Sequence, residues 1–90
     1  MTINQACNIL HIEPGDNDTL INSLLEALPE YIRVTTGMDY SEQFDEPLVP
    51  VVSGFLLTQW YYADHADDQA LTRTINALLK AITLKAREQS

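Results

Sequence analysis

The stretch LVPVVSGFLLTQWY, Leu48 to Tyr61, decides how this chain of 90 residues folds. Its apolar side chains occur on every side of a helical projection, a pattern typical of a helix that is covered all round. The pair Val51 and Val52 would also suit a strand, but the run is too long for one and its proline residues argue against a central strand. We therefore predict a buried helix, in which Gly54 marks the close approach of another backbone.

Two helices are predicted before this segment. Thr2 and Gln5 have the spacing of a capping box, which begins the first helix. The second begins at residues 16–18 and ends at Gly37, a residue suited to a helix C-terminus. Pro29 must either kink this helix or begin another, and we favour a kink because the apolar pattern keeps its phase. Apolar stripes accompany both helices: Ile3, Ala6, Cys7 and Leu10 in the first, and Leu20, Leu24, Leu28 and Tyr31, flanked by Ile21, Leu25 and Ile32, in the second.

A last helix is predicted after the buried one, from Asp67 to about Arg87. No glycine or proline divides these two helices, so a turn and a continuous helix both stay open at their junction. Residues 38–46 are predicted to be a polar linker. The fold class is therefore all-α: residues 1–90 form one domain, a small helical bundle of about four helices around a buried third helix. The core-facing stripe of the last helix is Leu71, Ile75, Leu78, Leu79 and Ile82.

Charge is divided unevenly along the chain, whose formal net charge is -8. Residues 1–72 hold twelve acids and one base, whereas residues 73–90 hold four bases and one acid. An acidic body repels phosphate backbones, which argues against general nucleic-acid binding. Arg73, Lys80 and Arg87 are spaced by seven residues and share one side of the last helix. This side is either solvated or in contact with the acidic body of a second copy.

Cysteine content and hydropathy bear on where the chain works. The single cysteine, Cys7, cannot form an internal disulfide, so the fold does not depend on an oxidising compartment. Residues 1–15 carry no lysine or arginine, and no uncharged apolar run reaches the ~20 residues that a membrane span needs. We expect a soluble, intracellular protein with no membrane partner.

Two acidic segments contain side chains that can bind metal ions. Residues 16–18 begin like a calcium-binding loop, but Ile21 and Ala27 hold the positions where that loop needs glycine and glutamate. Residues 64–68 bring His65 together with three aspartates, which a transition metal would accept. Helix capping and a solvated acidic turn explain these segments more simply. We predict no metal and no other cofactor.

Other chemistry is also poorly supported. Catalysis by Cys7 would need a positioned histidine and an acid, and a buried thiol explains its place on the core side of the first helix. Trp60, Tyr61 and Tyr62 could stack nucleic-acid bases, but their neighbours are acidic rather than basic, which favours a role in the core or at a subunit interface. The sequence does not indicate an enzyme.

Two stretches have the order of features of a known protein family. The first is HIEPGDNDTLINSLLEALPEYIRVTTG, residues 11–37, with an acid-rich turn, an aliphatic helix, an aromatic-Ile pair and a Thr-Gly stop. The second is EPLVPVVSGFLLTQWYY, residues 46–62, with a Pro-led aliphatic helix ending in Trp-Tyr. In both stretches the chain resembles the small phage head-tail connector (head completion or adaptor) family. The chain departs from the family after Tyr61, where Tyr62-Ala63-Asp64-His65 replaces an acid, an Asn and an Arg.

The resemblance implies a structural protein of phages and prophages that acts in virion assembly and DNA packaging. Its expected partners are other copies of itself in a ring, the portal protein, and a downstream tail or head-closure protein. The ring would line the DNA exit channel, and DNA would only pass through it. The expected location is the host cytoplasm during assembly and then the virion head-tail junction.

The expected interface residues follow from charge and position. They are Arg73, Lys80, Arg87, Asp64, Asp67, Asp68 and Tyr62. The acidic composition is equally compatible with a different function: a small intracellular regulator that binds a basic protein as a nucleic-acid mimic.

Overall fold

The computed structural model describes residues 1–62 and 69–89. These residues form five helices and no strand, so the all-α class is confirmed. The expected four helices around a buried third are not confirmed, because a short additional helix occupies the predicted polar linker. The helices are α1 (Ile3–Leu10), α2 (Asp18–Thr36), α3 (Tyr40–Asp45), α4 (Leu48–Tyr61) and α5 (Gln69–Gln89).

Local signals set several helix ends where they were predicted. The Thr2 hydroxyl accepts a hydrogen bond from the Gln5 backbone N–H at 3.2 Å, and the Gln5 side chain accepts one from the Thr2 N–H at 2.8 Å. This reciprocal capping box begins α1. Gly37 ends α2 in the left-handed conformation, with φ of 83°, which glycine adopts without steric cost. α2 continues through Pro29 as one helix.

The core forms where α4 packs against α1, α2 and α5. α4 is not covered all round, however, since Val51 is 48% exposed and Phe55 37% exposed. Three neighbouring helices leave one side of it open to solvent. The buried apolar residues are Ala6, Cys7, Leu10, Ile21, Leu28, Ile32, Met38, Val52, Leu56, Leu57, Ile75, Leu79, Ile82 and Ala86.

Gly54 does not mark the approach of another backbone, contrary to the sequence-based expectation. A Cβ atom built on Gly54 would lie 3.6 Å from the Cδ1 atom of Ile9, which is an ordinary side-chain contact. α1 and α4 are therefore separated by side chains at this crossing, and the glycine is not required by space.

Candidate interaction surfaces

A buried glutamine fastens α3 to the end of α2. The Gln43 side-chain amide donates to the carbonyl oxygens of Pro29, at 3.0 Å, and Met38, at 2.9 Å. Both amide hydrogens are thereby used, which a buried amide needs. Met38 itself is fully buried beside this contact. The segment after α2 is thus held in place by specific bonds.

A second contact between α2 and α3 lies at the surface. Arg33 donates two hydrogen bonds to the Glu30 carboxylate, at 2.7 Å and 3.2 Å, and the Tyr40 hydroxyl donates to the same carboxylate. The Arg33 guanidinium also lies 5.8 Å from the centroid of the Tyr40 ring. The pKa of Glu30 is lowered from 4.5 to about 2. The hydrogen bond from Arg33 is the largest cause, and the hydrogen bond from Tyr40 is the next.

Helices α1 to α4 enclose an open, mainly apolar groove of about 810 Å³. None of the described residues that line it is Asp, Glu, Lys or Arg. Apolar grooves of this kind are typical of binding sites for other molecules or proteins. The apolar side chains that shape it include Ile9 from α1, Leu25 and Pro29 from α2, Phe44 from α3, and Val49 and Pro50 from α4.

Phe44 is the most exposed apolar side chain along this groove. It is 91% exposed, although its helix is fixed by Gln43, the preceding residue. Leaving an aromatic ring in water forgoes roughly 1.5–3 kcal/mol of burial free energy. An exposed phenylalanine beside an apolar groove adds to the apolar surface that a binding partner could cover.

The other side of α3 is acidic. Ser41, Glu42, Asp45 and Glu46 line a small polar depression of about 240 Å³. The Glu46 side chain is only 7% exposed and pairs with Lys85 Nζ at 2.7 Å, which ties α5 to the α3–α4 junction. Within residues 1–62 and 69–89, neither Glu42 nor Asp45 makes an ion pair. The side of α3 away from the groove therefore carries two carboxylates that make no ion pair in this part of the chain.

The basic stripe, defined as Arg73, Lys80 and Arg87, lies on the outer side of α5. All three residues are exposed, as predicted, and the core side of α5 is formed by Ile75, Leu79, Ile82 and Ala86. Leu84 lies four residues after Lys80 and three before Arg87 and is 50% exposed. The stripe thus contains an apolar side chain between two cations, which the sequence interpretation did not identify.

The remaining interface residues have different positions. The Tyr62 hydroxyl donates to the Leu10 carbonyl at 2.6 Å, and its ring meets Tyr61 edge to face, so Tyr62 links the ends of α4 and α1. Asp64, Asp67 and Asp68, with His65, lie outside the described residues, and so does the junction between α4 and α5.

The thiol and the aromatic rings that catalysis or base stacking would use take part in packing contacts and hydrogen bonds within the chain. Cys7 is buried, as expected of a structural thiol. Trp60 meets Tyr31 edge to face at 5.2 Å between ring centroids, and the Tyr61 hydroxyl accepts a hydrogen bond from Asn17 at 2.7 Å. No group of three or more potential metal ligands occurs among the residues that the structure describes. None of the helices in that part of the chain combines the length and apolar character of a membrane span.

No family model, curated protein or solved structure matches this chain. The resemblance to head-tail connectors therefore rests on the residues of the two quoted stretches alone.

Proposed function

We propose that this chain is a structural head-tail connector, an adaptor that forms a homo-oligomeric ring between a portal protein and the next tail or head-closure protein. The observation that carries the proposal is the pair of unlike surfaces on one chain. An apolar groove lies among α1 to α4, acidic residues lie on the other side of α3, and a basic stripe lies on the outer side of α5. Unlike surfaces on identical subunits permit head-to-tail contacts, which close into a ring when the rotation allows.

The charge of the main body suits a DNA channel. Residues 1–62 contain nine acids and one base. A surface of this kind repels phosphates and gains nothing from counterion release, so DNA would slide past it without sticking. The protein would act in the host cytoplasm during assembly and remain at the virion head-tail junction.

Sedimentation velocity over a range of concentrations tests this function. We expect an oligomer either for the chain alone at high concentration or for the chain mixed with a portal protein of the same phage or prophage. Electron microscopy of the oligomer should then show closed rings. A chain that stays monomeric under both conditions would contradict the connector function.

A second function is favoured by acidity alone. A small regulator with nine acids and one base in residues 1–62 could occupy the basic surface of another protein. Affinity capture from a host lysate distinguishes the two: a regulator should retrieve a basic enzyme or a DNA-binding protein in stoichiometric amount, and that complex should dissociate with salt. A connector should retrieve no such protein.

A further inference from the structure

We infer that the groove among α1 to α4 is a binding site for a small, neutral, apolar molecule that carries an amide group. Two nearly buried polar side chains, Gln43 and Ser53, line this mainly apolar groove. Each of them keeps an oxygen atom without a hydrogen-bond partner among the described residues. Such a site goes beyond the connector function and does not depend on it.

Ser53 reaches the groove from α4. It is only 8% exposed, and its hydroxyl makes no hydrogen bond with residues 1–62 or 69–89. A hydroxyl inside a helix can donate to the backbone carbonyl four residues before it, and several hydroxyls of this chain do so. They are those of Ser23, Thr36, Thr58, Thr74 and Thr83. The Ser53 hydroxyl is instead left to bond a molecule in the groove.

Gln43 reaches the groove from α3. Its side-chain N–H groups are held by the carbonyls of Pro29 and Met38, which fixes the plane of the amide. Its oxygen, Oε1, accepts no hydrogen bond from the described part of the chain, although the residue is only 6% exposed. A carbonyl oxygen can accept two hydrogen bonds, so Oε1 is an acceptor held in place for an N–H group from outside the chain.

Both oxygens are accessible from the groove. Among the described residues, every fully buried side-chain oxygen or nitrogen has a hydrogen-bond partner. Ser53 Oγ and Gln43 Oε1 have none, so neither is sealed inside the protein, and the groove is the open space that both residues line. An amide complements the pair, because its N–H can donate to Gln43 and its carbonyl oxygen can accept from Ser53.

Size and charge favour a small neutral molecule over a protein. Small-molecule sites have volumes of roughly 300–1,000 Å³, mainly apolar walls and a few placed polar groups. The groove has a volume of about 810 Å³ and walls of this kind. A protein partner covers roughly 800 Å² on each side and would spread from the groove onto the acidic surface of the chain. A charged ligand would find no opposite charge, since no described lining residue is Asp, Glu, Lys or Arg.

NMR titration of the isotope-labelled chain with octanamide tests the site, at a concentration where the chain is monomeric. We expect saturable shifts at residues that line the groove, among them Ile9, Phe44 and Ser53, and at the side-chain amide of Gln43. Octanoate has the same chain length but a negative charge. It should bind several-fold more weakly, because the groove supplies no cation to replace the water that its carboxylate loses.

Ser53→Ala tests the hydrogen bond within the site. Loss of one neutral hydrogen bond should raise the Kd of octanamide about fivefold. The Kd of toluene, which carries no polar group, should stay nearly unchanged. Ser41→Ala is the matched control, because Ser41 lies on the other side of α3, and it should change neither Kd. Equal weakening of both ligands in Ser53→Ala would mean that Ser53 only supports the fold, which would overturn the inference.

Phe44→Ala tests the apolar wall of the groove. Phe44 is 91% exposed, so the fold should persist, as circular dichroism would show, while octanamide should bind several-fold more weakly. Val34→Ala, at an exposed position of α2 outside the groove, is the control and should bind octanamide as the wild type does. Equal affinity of the two variants would place the ligand elsewhere and overturn the inference.

Three further outcomes would also overturn it. One is the absence of saturable shifts at the groove with octanamide, and another is equal affinity for octanamide and octanoate. The third is a shift of the groove-lining signals when the chain is concentrated without any ligand, which would assign the groove to a second copy. The connector function is tested separately by sedimentation and microscopy, so the loss of the ligand site would leave it standing.

Discussion

At the scale of single residues, two buried polar side chains hold the segment between α2 and α4. Gln43 is satisfied by two backbone carbonyls, and Glu46 by Lys85. Glutamine and glutamate are usually exposed, so the sequence alone indicates a solvated linker here. Their partners are distant in sequence or belong to the backbone, and this explains why neither burial was predicted.

Replacing Lys85 should expose the cost of burying Glu46. In Lys85→Met the bond that the carboxylate keeps with the described residues is a long one, of 3.4 Å, from the Leu48 backbone N–H. We expect the free energy of unfolding to fall by about 1–3 kcal/mol, less than for a fully buried pair because Lys85 is half-exposed. Urea denaturation at a dilution where the chain is monomeric measures it. Lys80→Met is the matched control, with an expected change below about 0.5 kcal/mol.

The double variant Glu46→Gln with Lys85→Met completes this test. Removing the buried charge together with its partner should recover part of the lost stability, because no unpaired carboxylate is left. If the double variant lost as much stability as the single variants Glu46→Gln and Lys85→Met lose together, the pair would not be coupled.

Glu30 should give the contact between α2 and α3 a dependence on pH. Its pKa is lowered to about 2 in the folded chain, so the stabilisation is present above its ordinary value of 4.5 and is lost as the pH falls from there toward 2. The wild type should be more stable than Glu30→Gln near neutral pH, and this difference should vanish in acid. Urea midpoints measured from about pH 6 to pH 2 follow the difference.

Glu26→Gln serves as the control for this titration, because Glu26 is exposed on the same helix and makes no ion pair in the described part of the chain. Its stability should track that of the wild type at every pH. If the stability of Glu30→Gln also tracked that of the wild type at every pH, the bonds from Arg33 and Tyr40 would not stabilise the fold.

At the scale of helices, the sequence predicts well what is decided locally. The capping box of Thr2 and Gln5 and the stop at Gly37 depend on a few adjacent residues, and both were predicted. α3 was missed because its six residues carry no helical period and are held by contacts with α2. The sequence of α4 is uniformly apolar, so it does not predict which side of the helix is exposed. The exposure of Val51 and Phe55 is seen only in the structure.

The same limit applies to α2 and to the groove. Leu20 and Tyr31 belong to the predicted apolar stripe but are exposed, because the apolar arc is wider than the contact with neighbouring helices. The groove is shaped by four helices, and no single one of them has a sequence pattern that reports it. The basic stripe was predictable because its spacing lies within one helix.

Gly54 offers a prediction about α4 itself. The position is helical, and an added Cβ would make only an ordinary contact of 3.6 Å with Ile9. Gly54→Ala should raise the free energy of unfolding by about 0.5–1 kcal/mol, since alanine loses less backbone freedom on folding. Thermal and urea denaturation measure the change. A loss of stability would mean that α1 and α4 pack more tightly at this crossing than the structure shows.

At the scale of the whole molecule, acids and bases occupy different regions. Residues 1–62 carry nine acids and one base, whereas α5 carries four bases and one acid. Within one chain this separation lets Lys85 form an ion pair with Glu46, a carboxylate outside α5. Between chains it favours unlike contacts over like ones, which is what a head-to-tail assembly requires.

Reversing charge on the stripe should therefore weaken assembly without unfolding the chain. Arg73 and Lys80 are exposed, so Arg73→Glu with Lys80→Glu should keep the helical circular dichroism signal. One surface pair contributes only ~0–1 kcal/mol, which is why both are changed together; we expect the dissociation constant to rise about tenfold at low salt.

Wild-type assembly should weaken with added salt, since the screening length falls to roughly 10 Å at 0.1 M. Thr74→Glu adds an acid to α5 beside the stripe and should assemble nearly as the wild type does. Assembly of the reversed variant that is undiminished at low salt would show that the stripe does not meet an acidic surface.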